Sequence, residues 1–268
     1  MRFRLTALAS GSSGNAFLLQ AGQTSLLIDC GLPARQIVRE LKRRGVHPEE
    51  LAAILLTHEH GDHVLSAGAL SLRYGVPVLA NPATLAAIAG PLGQLYALPM
   101  ATGSAHSLGD VDVASYPIPH DAADPVGYLL ECDGWRIAVA VDVGAPSTIL
   151  LEPLRLADLI VLEANHDRGR LLRGPYPAFV KARILSPVGH LSNQEAAQLL
   201  AQVAGGKRRS VWLAHLSAIN NTPRRALRTV AESLGAAGVG GLELHVVLRD
   251  RPSIHWDLDE WGWQERLL

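Results

Sequence analysis

Four side chains able to bind a metal ion stand in one heptapeptide, residues 57–63, with the sequence THEHGDH; they are His58, His60, Asp62 and His63. The heptapeptide follows an apolar segment, 53–56, that is predicted to be a β-strand. Alternate residues of an extended segment point the same way, so His58 and His60 can hold one ion. The glycine that follows permits a sharp turn, after which Asp62 and His63 can reach a second ion. Imidazole and carboxylate ligands without thiolate suit zinc, manganese or iron. A solvated polar loop is the alternative interpretation, but four ligands at the end of a buried strand favour metal binding.

The rest of the chain must position these ligands. Alternating or apolar runs predict strands at residues 2–8, 16–20, 25–29, 52–57, 112–116, 126–131, 136–141, 159–163, 210–215, 242–247 and 253–257. Helices are predicted at 33–45, from the capping box at Ser192 to 205, and at 223–234. Trp256, Trp261 and Trp263 are expected to pack on the last strand. Paired strands followed by strands that alternate with helices predict a mixed α/β fold. Nothing marks a domain boundary, so residues 1–268 are predicted to form one domain.

The His-x-His-x-Asp-His pattern resembles the signature of the metallo-β-lactamase fold superfamily. Three later residues, His120, Asp142 and His215, stand at or after predicted strand ends. Taken alone, a single histidine or aspartate there is often only hydrogen-bonded structure. The resemblance implies a four-layer αββα sandwich with two divalent ions at one edge. It assigns the first ion to His58, His60, His120 and Asp142. It assigns the second to Asp62, His63, Asp142 and His215. Asp29 is implied to support the histidine loop.

Four further strings narrow the resemblance: ASGSSGN at 9–15, LEANHD at 162–167, GHLSN at 189–193 and LSAINNTP at 216–223. Together they resemble the YycJ/WalJ-type branch of the superfamily, which consists of bacterial 5′-to-3′ exonucleases. The implied partner is nucleic acid, DNA before RNA. The implied cofactors are two Mn²⁺ or Zn²⁺ ions, between which the sequence does not choose. Polarity of digestion and a role in DNA repair rest on the resemblance alone.

The expected reaction is hydrolysis of a phosphodiester. Two divalent ions, two aspartates (Asp62 and Asp142) and a bridging hydroxide leave a net positive site, which suits an anionic substrate. The hydroxide is expected to attack phosphorus in line, with Asp62 as a catalytic carboxylate. His190 stands just before a capped helix, where an anion is favoured. We expect His190 to contact the scissile phosphate or to protonate the leaving oxygen. The alternative is a loop histidine bonded to its neighbours.

Candidate substrate-binding residues follow from the same strings; they are Ser12, Ser13, Asn15, His166, Arg168, Arg170 and Asn221. The glycine- and serine-rich turn can present backbone N–H groups to a phosphate, although a plain hairpin has the same composition. Arg168 and Arg170 open a basic stretch suited to phosphates. His166 has no settled role, and capping is the simpler interpretation of Asn221. The basic residues between 35 and 44 predict an exposed helix face.

Composition limits the protein class. Of 268 residues, 48% are hydrophobic and 18% charged, and the formal net charge is −1, so any nucleic-acid surface must be local. Two cysteines are too few for a disulfide framework. The apolar part of the N-terminus is shorter than a signal-peptide core, and no run is long enough to cross a membrane. A soluble cytoplasmic protein is expected. Its oligomeric state is left open.

Other functions are also compatible with the sequence. An RNA-processing nuclease or a small-molecule phosphodiesterase of the same fold is the main alternative, and thioester or β-lactam hydrolysis is another. A β-lactamase is disfavoured by the missing signal peptide. A flavodiiron oxygen reductase is disfavoured because that branch carries His-x-Glu-x-Asp, whereas His60 occupies the glutamate position. A metal-stabilised scaffold without activity is disfavoured because every expected ligand position is filled.

Overall fold

A computed structural model describes residues 3–258 of the chain. Its first sheet has the spatial order β14-β1-β2-β3-β4-β5-β6. The strands of this sheet are β1 (Phe3–Ala9), β2 (Ala16–Ala21), β3 (Thr24–Ile28), β4 (Leu51–Leu55), β5 (Val78–Ala80), β6 (Ala97–Pro99) and β14 (His255–Asp257).

The second sheet has the order β13-β12-β11-β10-β9-β8-β7. Its strands are β7 (Ala105–Leu108), β8 (Val111–Pro117), β9 (Val126–Cys132), β10 (Trp135–Ala140), β11 (Leu159–Glu163), β12 (Arg209–Ala214) and β13 (Leu242–Val246). The helices are α1 (Ala34–Arg43), α2 (Gly61–Val64), α3 (Ala67–Tyr74), α4 (Pro82–Leu92), α5 (Leu151–Leu156), α6 (Arg168–Arg173), α7 (Ala178–Ile184), α8 (Asn193–Val203) and α9 (Pro223–Ala236).

Three hydrophobic clusters separate four layers. The central cluster lies between the sheets and includes Phe17, Tyr128 and Trp212. A second cluster joins the outer face of the first sheet to α1, α3 and α4. A third joins the outer face of the second sheet to α5, α8 and α9. The predicted αββα sandwich is therefore confirmed.

Parallel pairing brings several strand ends to one edge. β3 pairs in parallel with β4, with Ile28 opposite Leu55. In the other sheet β10, β11 and β12 are parallel, and Glu163 is opposite Ala214. The carboxyl ends of parallel strands meet at the same edge of a sheet. The segments that follow these strands are the ones that carry the predicted ligands.

The predicted strands correspond to eleven of the fourteen described strands and the predicted helices to α1, α8 and α9, whereas α2 to α7 were not predicted. The capping box that begins α8 is present, because the Ser192 hydroxyl accepts from the Glu195 N–H and the Glu195 carboxylate accepts from the Ser192 N–H. The ring of Trp256 contacts Phe3 edge-on, with ring centroids 5.9 Å apart. Trp261 and Trp263 lie outside the described residues. Within residues 3–258 no helix combines the length and the apolar composition needed to cross a membrane.

Three short strands, β5, β6 and β7, were not predicted. Each has three or four residues. Runs this short carry little periodic signal, and their strand conformation depends on pairing with a neighbour. They extend both sheets away from the ligand-bearing strands, so their omission does not affect the site.

Candidate metal centre

Three strand ends share an unusual backbone conformation. Asp29 after β3, Asp142 two residues after β10 and His215 after β12 have φ of 56°, 53° and 53°. A residue with a side chain rarely adopts this left-handed region, and such positions cluster at functional sites. The sharp reversal places each side chain at the edge where the sheets meet. The sequence predicted these residues as candidates but gave no sign of their backbone conformation.

The first cluster consists of His58, His60 and His120. Each residue offers one ligand atom, and these atoms all lie within 4.8 Å of one another. His120 Nδ1 is 3.0 Å from the Gly189 carbonyl oxygen, so Nδ1–H donates there and Nε2 is left with a free lone pair. Burial lowers the pKa of both His58 and His120, and neutral imidazole is the form that binds metal.

The second cluster consists of Asp62, His63 and His215, whose ligand atoms meet the same 4.8 Å limit. His63 Nδ1 lies 2.7 Å from the buried carboxylate of Asp29, which directs Nε2 toward the cluster. Asp29 also accepts from the Thr57 N–H at 2.9 Å, so it ties β3 to the start of the histidine loop. These contacts fit the support role that was predicted for Asp29.

Asp142 lies between the two clusters. Its carboxylate oxygens are 3.8 Å from His58 Nε2, 2.6 Å from His63 Nε2 and 2.9 Å from His215 Nδ1. Burial lowers the pKa of His63, but the Asp29 and Asp142 carboxylates outweigh it and raise that pKa to about 10. The same competition raises the pKa of His215, with Asp142 as the main carboxylate. In this arrangement protons and cations compete for the same lone pairs.

Unpartnered buried atoms test whether these residues fit metal ions. His58 Nε2 and His215 Nε2 are buried and have no hydrogen-bond partner among the described residues, and the contact of the buried Asp142 Oδ2 is with His63 Nε2, itself a predicted ligand. A buried polar atom without a partner costs free energy, so such atoms need an explanation. All three belong to the clusters above, and their donor chemistry suits a divalent ion. The structure thus brings all seven predicted ligands together, and their assignment to two ions stays a prediction.

Glu163, the last residue of β11, is a functional candidate that the sequence analysis missed. Its buried Oε1 lies 2.9 Å from His190 Nδ1 and 2.8 Å from His215 Nδ1. Its Oε2 accepts from the backbone N–H groups of Val143 and Leu191. The carboxylate therefore joins the two histidines and two loops. Its position inside the LEANHD string is the only sequence signal for it.

His190 reaches the site from the loop before α8. Its Nδ1 is 3.2 Å from Asp142 as well as close to Glu163, and 22% of its side chain is exposed. Burial lowers the pKa of His190, but Glu163 and Asp142 outweigh it and raise the pKa to about 9. The exposed part of His190 faces solvent beside the clusters, consistent with either predicted role.

The predicted phosphate-binding turn lies against the second cluster. The Ser10 hydroxyl accepts from the His215 N–H at 3.0 Å, and the Asn15 N–H donates to the Asp62 carbonyl at 2.8 Å. Ser12 and Ser13 are exposed at the tip. Asn15 is buried, and its side-chain amide nitrogen lies 3.0 Å from His63 Nε2. The tip of the turn is accessible, whereas Asn15 supports the loop from inside.

The other predicted substrate residues differ in accessibility. Arg168 and Arg170 are exposed at the start of α6, and Arg170 donates to the Ile219 carbonyl. Asn221 is buried, and its amide donates to the Ala164 and Asn165 carbonyls. The geometry gives Asn221 internal partners, and the capping expected of it is instead made by Thr222, whose side chain accepts from the Arg225 N–H at the start of α9. His166 is buried, its ring nitrogens have no partner among residues 3–258, and burial lowers its pKa to about 4.

Comparison with known proteins agrees with the fold. The family model of the metallo-beta-lactamase superfamily matches residues 9–155, and the chain belongs to that superfamily, whose members include hydrolases. Two relatives match along nearly the whole length. Exodeoxyribonuclease WalJ of Streptococcus pneumoniae is 36% identical over 243 residues, 89% of this chain and 90% of the relative. Exodeoxyribonuclease YycJ of Bacillus anthracis is 34% identical over 251 residues, 91% of this chain and 95% of the relative.

A solved structure shows the same fold. The metallo-beta-lactamase fold protein YhfI of Bacillus subtilis superposes with a TM-score of 0.71 at 17% identity. The match covers 96% of this chain and 99% of that chain. The chain is therefore a metallo-hydrolase of this superfamily with histidine and aspartate clusters suited to divalent metal.

Proposed function

We propose that the protein is a dinuclear metal-dependent 5′-to-3′ exodeoxyribonuclease. The observation that carries this proposal is the near full-length similarity to two proteins named exodeoxyribonuclease. The paired ligand clusters at the sheet edge support it chemically. A preference for DNA over RNA, a role in DNA repair, a cytoplasmic location and a single domain over residues 1–268 belong to the same proposal.

Two ions, Mn²⁺ or Zn²⁺, are assigned to the clusters. His58, His60 and His120 would hold one ion, Asp62, His63 and His215 the other, and Asp142 would contact both. Divalent ions there would supply positive charge for the phosphoryl oxygens and a nucleophile at neutral pH. Asp62, whose side chain is 27% exposed, combines ligation with a catalytic role at the open side of the site.

His190 serves the leaving group. Its imidazolium, held in place by Glu163 and Asp142, donates a proton to the leaving oxygen or binds the phosphate. Glu163 acts through His190 and His215 and is a positioning residue. Because its carboxylate accepts from both rings, it fixes their tautomers and their orientation together.

Substrate binding is assigned to the exposed groups around the clusters. The turn that carries Ser12 and Ser13 would contact the phosphate from the side of β1. Arg168 and Arg170 would contact it from the side of α6. Arginine suits phosphate because its planar fork can donate two hydrogen bonds. The buried residues His166, Asn15 and Asn221 hold the loops that carry the others.

Digestion of end-labelled polymers tests the proposal. DNA and RNA of one sequence, labelled at either end, are incubated with wild type, Asp62→Ala and the control Asp112→Ala, whose side chain is exposed on β8. We expect mononucleotides from the 5′ end of DNA, lost in Asp62→Ala and kept in the control. Cleavage of RNA alone would favour an RNA-processing nuclease. Hydrolysis of bis-p-nitrophenyl phosphate with neither polymer cut would favour a small-molecule phosphodiesterase.

A further inference from the structure

A basic groove lies outside the metal centre, between α1 and α3. It has a volume of about 820 Å³, and five cationic side chains line it: Arg35, Arg39, Lys42, Arg43 and Arg73. Among residues 3–258 no acidic side chain lines it, and all five cations are exposed. On a chain whose net charge is −1, this is a marked local excess of positive charge.

The cations of the groove are only partly neutralised. The buried carboxylate of Glu40 contacts Arg39 and Arg43 at 3.2 and 3.1 Å. Arg35, Lys42 and Arg73 have no carboxylate partner in the part of the chain that the structure describes. Arg35, Arg39 and Arg43 recur every four residues, so they form one stripe along α1. Like charges at this spacing destabilise a helix, and Glu40 offsets that repulsion only for Arg39 and Arg43.

Both helices start beside the metal loop. The Cys30 N–H donates to the His63 carbonyl at 2.7 Å, and the Ser66 N–H donates to the Cys30 carbonyl at 3.0 Å. α1 begins four residues after Cys30, and α3 directly follows Ser66. The groove thus starts near the metal centre and extends outward along α1, which is about 15 Å long.

We propose that this groove binds the sugar–phosphate backbone of the nucleic-acid strand whose end enters the metal centre. The inference rests on the proposed function and adds a binding surface to it. A row of arginine and lysine side chains complements a row of phosphates, and three of the five cations have no other anion to bind. Half-buried Val38 and Tyr74 form an apolar part of the wall against which sugars can pack. An end-trimming nuclease needs such a surface, since the end itself offers little to bind.

A charge-matched pair of variants tests the groove. Arg35→Gln/Arg73→Gln removes two cations from it. The control Arg136→Gln/Arg155→Gln removes two cations from the edge of the sandwich opposite the metal centre. They lie at the start of β10 and the end of α5. Binding of a fluorescent single strand with non-hydrolysable phosphorothioate linkages is measured over a range of salt concentrations. Thermal unfolding and hydrolysis of bis-p-nitrophenyl phosphate are measured in parallel.

We expect the groove variant to bind the strand roughly tenfold more weakly than the control. The slope of the logarithm of the binding constant against the logarithm of the salt concentration should also be shallower by about 1.4, which is about 0.7 for each lost phosphate contact. Thermal stability and hydrolysis of the small substrate should equal those of the wild type, since neither Arg35 nor Arg73 has a carboxylate partner among the described residues. Equal strand affinity in both variants would overturn the proposal. So would wild-type protein that binds no strand, an outcome that would favour an acidic protein as the occupant. Strand binding that depends on the groove, without nucleotide release from DNA, would overturn the proposed function and leave the groove intact.

Discussion

Glu163 is the residue on which most of the site's internal order depends. Its two oxygens accept four hydrogen bonds, from two imidazoles and two backbone N–H groups. One oxygen accepts from both imidazoles and the other from both backbone N–H groups. A glutamine amide has only one accepting end, so it can serve only one of these two pairs. Removing such an outer partner of a metal-binding histidine typically costs 10–100-fold in activity or affinity.

Glu163→Gln is therefore expected to lower kcat/KM for DNA by roughly 10–100-fold while the protein still folds. The loss should fall on kcat more than on KM, because His190 acts on the leaving group. Steady-state kinetics check this, with the exposed Glu152→Gln on α5 as the control. Unchanged kcat/KM in Glu163→Gln would refute the positioning role.

Asp29 controls the second cluster through one hydrogen bond to His63. In Asp29→Asn the amide can donate to Nδ1, which would move the ring proton to Nε2 and block ligation. We expect the affinity of this cluster for metal to fall roughly 10–100-fold, while the first cluster keeps its ion. Competition with a chromogenic chelator measures this. Asp133→Asn is the matched control because Asp133 also has a positive φ, 51°, which asparagine tolerates. Equal metal affinity in both variants would contradict the account.

At the scale of elements, the backbone that follows β3 packs tightly against the backbone of the metal loop. A Cβ at Gly31 would lie 1.6 Å from the Asp62 carbonyl oxygen, and backbone must move to make room. At Gly61, inside the metal loop, the same Cβ would meet nothing within 4 Å. This close packing fixes the position of the Asp62 backbone relative to β3.

Gly31→Ala is expected to lower the free energy of unfolding by about 1–3 kcal/mol, as overpacked sites do. It should also weaken metal binding, because Asp62 shifts with its backbone. Chemical denaturation and metal competition measure the two effects, with Gly61→Ala as the control. A Gly31→Ala protein as stable as that control would show that the contact relaxes without cost.

The same elements show what the sequence could and could not reveal. The heptapeptide at 57–63 and the capped start of α8 were predictable because their signals are local, whereas the αββα layers came from the family resemblance. Glu163 was not, because its partners lie 27 and 52 residues away. The buried roles of Asn15 and Asn221 also depend on distant chain segments. Left-handed strand ends leave no local trace when the residue is not glycine.

At the scale of the whole molecule, charged groups are concentrated in one region although the net charge is close to zero. Ligand carboxylates, imidazoles and the cationic groove lie near one edge of the sandwich, and the net charge is −1. The central hydrophobic cluster holds the two sheets together, so ligands from both sheets keep a fixed separation. His63 comes from the first sheet and Asp142 from the second, which makes metal binding a contact between the layers.

The central claim is that hydrolysis of DNA requires two ions in these clusters. Metal-stripped protein is titrated with Mn²⁺ or Zn²⁺ while bound metal and nucleotide release from the 5′ end are followed together. The account predicts that release begins as the second ion per chain binds, and that Asp142→Asn abolishes it. Full activity with one ion per chain, or in excess chelator, would contradict the account.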